Sequence, residues 1–151
     1  MNILLIEDEV AIRSFYSDML KTAGYNVLEA GDGKEGLDLA NLQPWDLLLL
    51  DIMLPQMDGL KVLQEIKQNT NLSTRPVILL TNLNSEDIVQ QCMAMGANQY
   101  VVKSDLDPPD KLVDIVNIYL KKDTEKPLQE RESEQEPKED KGLAIPILSE
   151  E

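Results

Sequence analysis

The chain has 151 residues, 42% of them hydrophobic, with a net charge of −14, one cysteine and no histidine. That length suffices for one domain with its own core, and the composition excludes a disulfide framework, a cysteine zinc site within one chain, a Ser-His-Asp triad, a histidine metal cluster and phosphohistidine chemistry. The acidic balance argues against direct nucleic-acid or anionic-membrane binding by this chain alone; no run has the length of a transmembrane helix, and "MNILLIEDEV" lacks the basic-then-apolar order of a secretory signal, so a cytoplasmic protein is expected.

Apolar runs and amphipathic runs alternate. "NILLI" at 2–6 reads as a short strand. Residues 10–23 carry Ile12, Phe15, Tyr16, Met19 and Leu20 at helical spacing, and Gly24 closes that helix. "YNVLEA" at 25–30 is a second strand, and Gly31-Asp32-Gly33 turns the chain into a helix over 34–42. "DLLLL" at 46–50 is a third strand, apolar without a break, as in a strand buried on both faces. A helix over 58–69 puts Leu60, Leu63 and Ile66 on one face. "PVILL" at 76–80 is a fourth strand, a helix over 85–95 is closed by Gly96, and "QYVVK" at 99–103 is a fifth strand. Pro109 opens a last helix over 109–121, with Leu112, Ile115, Val116 and Leu120 inward. Met57, Met93 and Met95 read as ordinary filling. Five β-α units in a row predict an α/β fold: a doubly wound parallel sheet with helices on both faces and right-handed crossovers.

The composition changes after Lys122. Residues 1–122 form the predicted domain; residues 123–151 hold ten acids against four bases and few apolar side chains. Such a segment buries too little surface to offset its ordering entropy, so an acidic, disordered tail is expected. Within it "LAIPIL" at 143–148 is apolar, a free end or a segment that docks on a partner or on the domain.

In a doubly wound sheet, ligands sit at the carboxyl ends of the strands. Glu7-Asp8-Glu9 follow strand one, Asp51 ends strand three, Thr81 ends strand four and Lys103 ends strand five. Each has an ordinary explanation alone. Asp51 or Thr81 is a helix cap, Lys103 a solvated lysine, and Glu7-Asp8-Glu9 a favourable helix N-terminus. The convergence of four strand ends is what is specific. Glu7, Asp8 and Asp51 gather negative charge that raises carboxylate pKa values. A hard divalent cation, Mg²⁺, resolves the conflict with carboxylates plus water. An ionised, partly desolvated Asp51 is then a nucleophile. A phosphoryl group on it would meet the cation, Lys103 and the Thr81 hydroxyl, the positioning and neutralisation that phosphoryl transfer needs.

"ILLIEDE" at 3–9, "DLLLLDIMLPQMDG" at 46–59, "PVILLT" at 76–81 and "GANQYVVK" at 96–103 together resemble the receiver domain of two-component response regulators, over residues 1 to about 121. The resemblance implies a five-stranded sheet of order 2-1-3-4-5, flavodoxin-like in its winding. It implies Asp51 as the phosphoacceptor and Asp8 as a direct Mg²⁺ ligand. Glu7 would act through a water, and the backbone carbonyl of Met53 would be a further ligand. Thr81 becomes the switch hydroxyl, Lys103 the phosphate-binding lysine and Tyr100 the switch aromatic. The donor implied is a sensor histidine kinase or phosphotransfer protein. The output is a remodelled helix 4–strand 5–helix 5 face that contacts a protein partner, with the tail as a second route and a phosphorylation-dependent homodimer compatible with the family. No basic recognition helix follows, so direct DNA binding is not expected. The chain is expected to be no enzyme beyond its own phosphoryl transfer and self-dephosphorylation.

Asn82 stands where many relatives have Ala or Gly, and Ser104 where they usually have proline, which bears on access to the phosphate and on the output face. Met53 and Leu83 flank the phosphate and are apolar, so neither orients a water and slow self-dephosphorylation is expected. Trp45, beside strand three, is expected to report metal binding by fluorescence. Enzymes on similar folds fit worse: an aspartate phosphatase needs a second acid where Met53 stands, and a flavodoxin needs a hydroxyl-rich phosphate loop where Glu7-Asp8-Glu9 would repel phosphate. The alternative kept beside the phosphoacceptor is a phosphate-independent receiver-like interaction scaffold.

Overall fold

A computed structural model describes residues 1–55, 57–82 and 86–120. The elements run β1 (Asn2–Ile6), α1 (Val10–Thr22), β2 (Asn26–Ala30), α2 (Gly33–Leu42), β3 (Leu47–Asp51), α3 (Gly59–Gln68), β4 (Val77–Thr81), α4 (Glu86–Ala94), β5 (Gln99–Val102) and α5 (Lys111–Leu120). All strand pairs are parallel, as the β-α alternation predicts, and the sheet order is β2-β1-β3-β4-β5, as the family resemblance implies. The chain divides into two units, Met1–Val116 and Asn117–Glu151. The sheet and every site below belong to the first; the second is described through Leu120 only. The domain end expected at 122, the tail over 123–151 and its 143–148 stretch lie outside the described residues. Among the described residues no helix is long and apolar enough to cross a membrane.

Three central strands are the core. Ile3–Ile6, Leu47–Leu50 and Val77–Leu80 are all fully buried, because crossover helices cover both faces of a parallel sheet. Each such side chain is worth about 1.5–3 kcal/mol of transfer free energy. The edge strands carry the polar and half-exposed positions, among them Asn26, Glu29 and Tyr100. Along α1 the buried positions are Tyr16, Ser17 and Leu20, whereas Phe15 is half exposed. The apolar spacing set the helix correctly, but its inward stripe passes one residue to the side of Phe15.

Helix ends follow local chemistry. Asp32 accepts from the Glu35 backbone N–H at 2.8 Å, and Glu35 accepts from the Gly31 N–H at 2.8 Å, a reciprocal cap at the start of α2. Asp58 caps α3 through the Lys61 N–H at 3.0 Å. Gly24 and Gly96 take φ of +103° and +108° just beyond α1 and α4, as the sequence predicts.

Candidate functional site: the acid pocket at the strand ends

Ile6 pairs with Leu50, so Glu7 and Asp51 leave neighbouring strands at the same level. Asp51 is opposite Leu80, Thr81 is opposite Val102, and Lys103 follows directly. Register alone therefore brings the four predicted residues to one end of the sheet. Lys103 Nζ lies 2.7 Å from Glu7 Oε1 and 3.2 Å from Asp51 Oδ2. Asp8, exposed at the mouth, completes a group in which one oxygen each of Glu7, Asp8 and Asp51 lie within 4.8 Å of one another. Glu7, Asp51 and Thr81 are buried.

Two buried carboxylates, Glu7 and Asp51, share one lysine, with Asp8 alongside. Burial pushes the Asp51 carboxyl up, the Glu7 charge pushes it further, and Lys103 and the Met53 N–H pull it back, leaving it at about 7. Burial acts to lower the Lys103 ammonium, but its contacts with Glu7 and Asp51 outweigh burial, so it is raised above the usual lysine range. Glu7 Oε1 is buried and accepts no hydrogen bond; its contact with Lys103 is a close ion pair without hydrogen-bond alignment. When all three carboxylates are ionised they exceed the Lys103 charge by two, and such a set of hard oxygen donors fits a divalent cation such as Mg²⁺.

Asp51 is not a helix cap. Its Oδ1 accepts from the Met53 N–H at 3.1 Å, and α3 begins only at Gly59 behind its own cap, Asp58. The loop between them folds back tightly: the Gly59 N–H reaches the Ile52 carbonyl at 2.8 Å, and a Cβ on Gly59 would lie 2.6 Å from Ile52 Cα and 2.7 Å from the Asp51 carbonyl oxygen. Only glycine permits that approach.

Thr81 is not a helix cap either: its hydroxyl donates to the Asn82 carbonyl at 2.9 Å. Tyr100 is half exposed, and between the two is a cavity of about 180 Å³ lined by Thr81, Asn82, Val89 and Tyr100 among others. Met53 is exposed beside Asp51, and Leu83 lies outside the described residues. Ser104 falls in a single 3-10 turn, Lys103–Asp105, directly after β5.

Two residues join the site that the sequence did not flag. Tyr16 on α1 is buried; burial raises its phenol, and it feels the charges of Lys103, Glu7 and Asp51. Arg13 donates from Nη1 to the Glu7 backbone carbonyl at 2.9 Å. Apolar spacing marks Tyr16 only as core, and an arginine contact to a backbone carbonyl leaves no trace in sequence. Trp45 corrects a further expectation: it is buried two residues before β3, about 20 Å from Asp51 by strand rise, with its indole on the Ala40 carbonyl at 3.1 Å. It reports folding, not the pocket.

The family model for the response regulator receiver domain matches residues 3–117. The chain belongs to the response regulator receiver family. Among similar proteins, the transcriptional regulatory protein PdtaR of Mycobacterium tuberculosis is 36% identical over 115 residues, covering 73% of this chain and 55% of that protein. The chemotaxis protein CheY4 of Vibrio cholerae matches in structure with a TM-score of 0.72 and 28% identity, over 79% of this chain and 98% of that one. The receiver domain of the sensor histidine kinase PA1611 of Pseudomonas aeruginosa matches with a TM-score of 0.70 and 30% identity, over 78% and 95%, and that structure has magnesium coordinated in its active-site cleft. The chain spans about half the length, 39–55%, of several curated relatives it matches. As a receiver domain with an acid cluster at the strand ends, it carries the module of phosphorylation-dependent signalling.

Proposed function

We propose that Asp51 accepts a phosphoryl group from a histidine kinase or phosphotransfer protein and that the chain acts as a signalling switch, not as an enzyme on a separate substrate. The observation that carries this reading is the sharing of Lys103 between Glu7 and Asp51, at 2.7 and 3.2 Å, with Asp8 alongside. Asp8, Asp51 and the Met53 carbonyl would hold Mg²⁺ directly and Glu7 through a water; the cation would neutralise charge on the phosphoryl oxygens. Asp51 supplies the attacking oxygen, in the ionised form that its environment makes hard to keep without a cation. A new Asp51 O–P bond replaces the donor's bond to phosphorus, and the donor group leaves with the electron pair. Lys103, already 3.2 Å from Asp51 Oδ2, is placed to hold a phosphoryl oxygen.

Thr81 would exchange its bond to the Asn82 carbonyl for one to the phosphoryl group, a swap near neutral in free energy. Its movement opens the 180 Å³ cavity further, and the half-exposed Tyr100 ring turns into it. That changes the face made by α4, β5 and the first turns of α5, which we propose contacts a protein partner in the cytoplasm. Relatives named transcriptional regulators extend well beyond the length shared with this chain, and their DNA-directed activity is not carried over here.

Intact mass after incubation with a small phosphodonor and Mg²⁺ tests the proposal. Wild type should gain one phosphoryl group, Asp51→Asn none, and chelation should abolish the gain. A folded wild type that gains nothing from a small donor or from any histidine-phosphorylated donor favours the interaction-scaffold alternative. Loss of the label should be slow, and Met53→Asn should speed it; an unchanged rate would discard the role given to Met53.

A further inference from the structure

Arg13 is buried more deeply than an arginine on an amphipathic surface helix needs to be: its side chain is 19% exposed. Nη1 donates to the Glu7 backbone carbonyl at 2.9 Å, and Nε lies 3.4 Å from Glu29 Oε1 on β2. Glu29 is itself held. The Ser17 hydroxyl donates to its Oε2 at 2.8 Å, and Lys21 Nζ stands 3.8 Å from the same oxygen. Gly31 leaves room for the guanidinium, since a Cβ there would lie 3.0 Å from Arg13 Nη1. The Arg13 backbone N–H also reaches the Glu9 carbonyl, at 2.9 Å, so the same residue grips both ends of the Glu7–Glu9 turn.

We propose that Arg13, braced by Glu29, is a positioning residue for divalent-cation binding in the acid pocket. The carbonyl it holds belongs to the peptide that joins Glu7 to Asp8, and a peptide unit is planar. Holding that oxygen fixes the plane from which both carboxylates depart: Glu7 turns inward to Lys103, and Asp8 turns to the mouth. The Glu9 N–H, 3.2 Å from Glu7 Oε2, closes the turn on the other side. Lysine cannot replace this fork, because one ammonium cannot hold a carbonyl and a carboxylate in that fixed geometry. The inference deepens the proposed function and rests on its Mg²⁺ site.

Positioning and plain electrostatics predict opposite signs. Arg13 is a cation near a cation site, so by charge alone its removal should tighten Mg²⁺ binding. If it positions the carboxylates, its removal loosens binding, by roughly 10–100-fold for an outer partner of a metal ligand. The test is a calorimetric Mg²⁺ titration of the full chain, wild type beside Arg13→Met and Arg13→Lys. Amide hydrogen exchange of the metal-free proteins and urea unfolding run in parallel.

Both variants should bind Mg²⁺ at least about tenfold more weakly, with faster exchange confined to Glu7–Glu9. Arg13→Lys keeps the charge and decides the matter if Arg13→Met does not fold: charge alone predicts unchanged affinity, positioning predicts loss. A lowered urea midpoint with unchanged Mg²⁺ affinity would overturn the proposal in favour of a purely structural role. So would tighter binding by Arg13→Met. Wild type that binds no Mg²⁺ would overturn this proposal together with the site it rests on, an outcome distinct from wild type that binds and variants that bind equally well.

Discussion

At the amino-terminal end of the sheet, polar groups close on one another. The Asn2 N–H donates to Asp46 Oδ2 at 2.7 Å and its amide to the Pro44 carbonyl at 3.2 Å, and the Asn26 amide reaches Asn2 at 3.0 Å. The Trp45 indole is on the Ala40 carbonyl, with the Arg75 guanidinium 4.9 Å from the ring centroid. At the carboxyl-terminal end, Glu7 and Asp51 share one lysine, and an oxygen of Asp8 lies within 4.8 Å of theirs. The sheet thus ends in paired polar groups on one side and in a charge excess on the other. The first end is closed by hydrogen bonds; the second keeps a charge excess that a cation and a phosphoryl group can use.

Removing the charge of Asp51 at the second end should therefore differ in sign from substitutions that disturb packing at either end. The largest effect belongs to the closed end: Trp45→Ala should destabilise by about 3–5 kcal/mol in urea unfolding, and a loss below 1 kcal/mol would show that this end carries little. Next is Gly59→Ala, where the new Cβ meets backbone of Ile52 and Asp51. It should cost about 1–3 kcal/mol and weaken Mg²⁺ binding as well, since the displaced atoms adjoin Asp51.

Asp51→Asn should go the other way. The folded Asp51 carboxyl titrates near 7, against about 4 in an unfolded chain. The folded state therefore holds the proton more tightly. Metal-free stability is greatest below pH 4 for this group and falls as pH rises from about 4 to about 7. Asp51→Asn removes that slope and should stabilise the metal-free protein at pH 8 by on the order of 1 kcal/mol, and by less at pH 5. Urea midpoints at the two pH values check it; a variant less stable than wild type at pH 8 would break the contrast between the ends. The smallest effect is expected on the solvated face. Lys34 and Asp38 form an exposed pair on α2 at 3.4 Å, and Lys34→Ala should change stability by no more than about 0.5 kcal/mol.

The strand ends were legible because each required a polar residue where an apolar run stopped. Asp51 after Leu47–Leu50 and Thr81 after Val77–Leu80 are visible in one dimension, and parallel pairing brings them together. The caps at Asp32 and Asp58, whose side chains act on residues three positions on, were not read from the sequence: Gly31-Asp32-Gly33 reads there only as a turn, and the expected helix starts at 58 itself. The contact of Arg13 with Glu29 was not legible, because it joins a helix to the edge strand across 16 residues of chain, and Arg13's other partner is a backbone carbonyl, that of Glu7. Phe15 differed for a related reason: spacing defines a helical face, but packing decides how that face is rotated. Trp45 was expected to report the pocket because it adjoins β3 in sequence, but it precedes that strand, whereas the site is at the strand's carboxyl end.

The most direct measurement is the urea midpoint with and without Mg²⁺ at pH 7.5, for wild type beside Asp51→Asn. Mg²⁺ at ten times its dissociation constant should stabilise wild type by about 1.4 kcal/mol, followed by Trp45 fluorescence as a reporter of unfolding. The gain should vanish in Asp51→Asn. Equal shifts in the two proteins, or none in a wild type shown to be folded, would contradict an acid pocket whose excess charge is resolved by a cation.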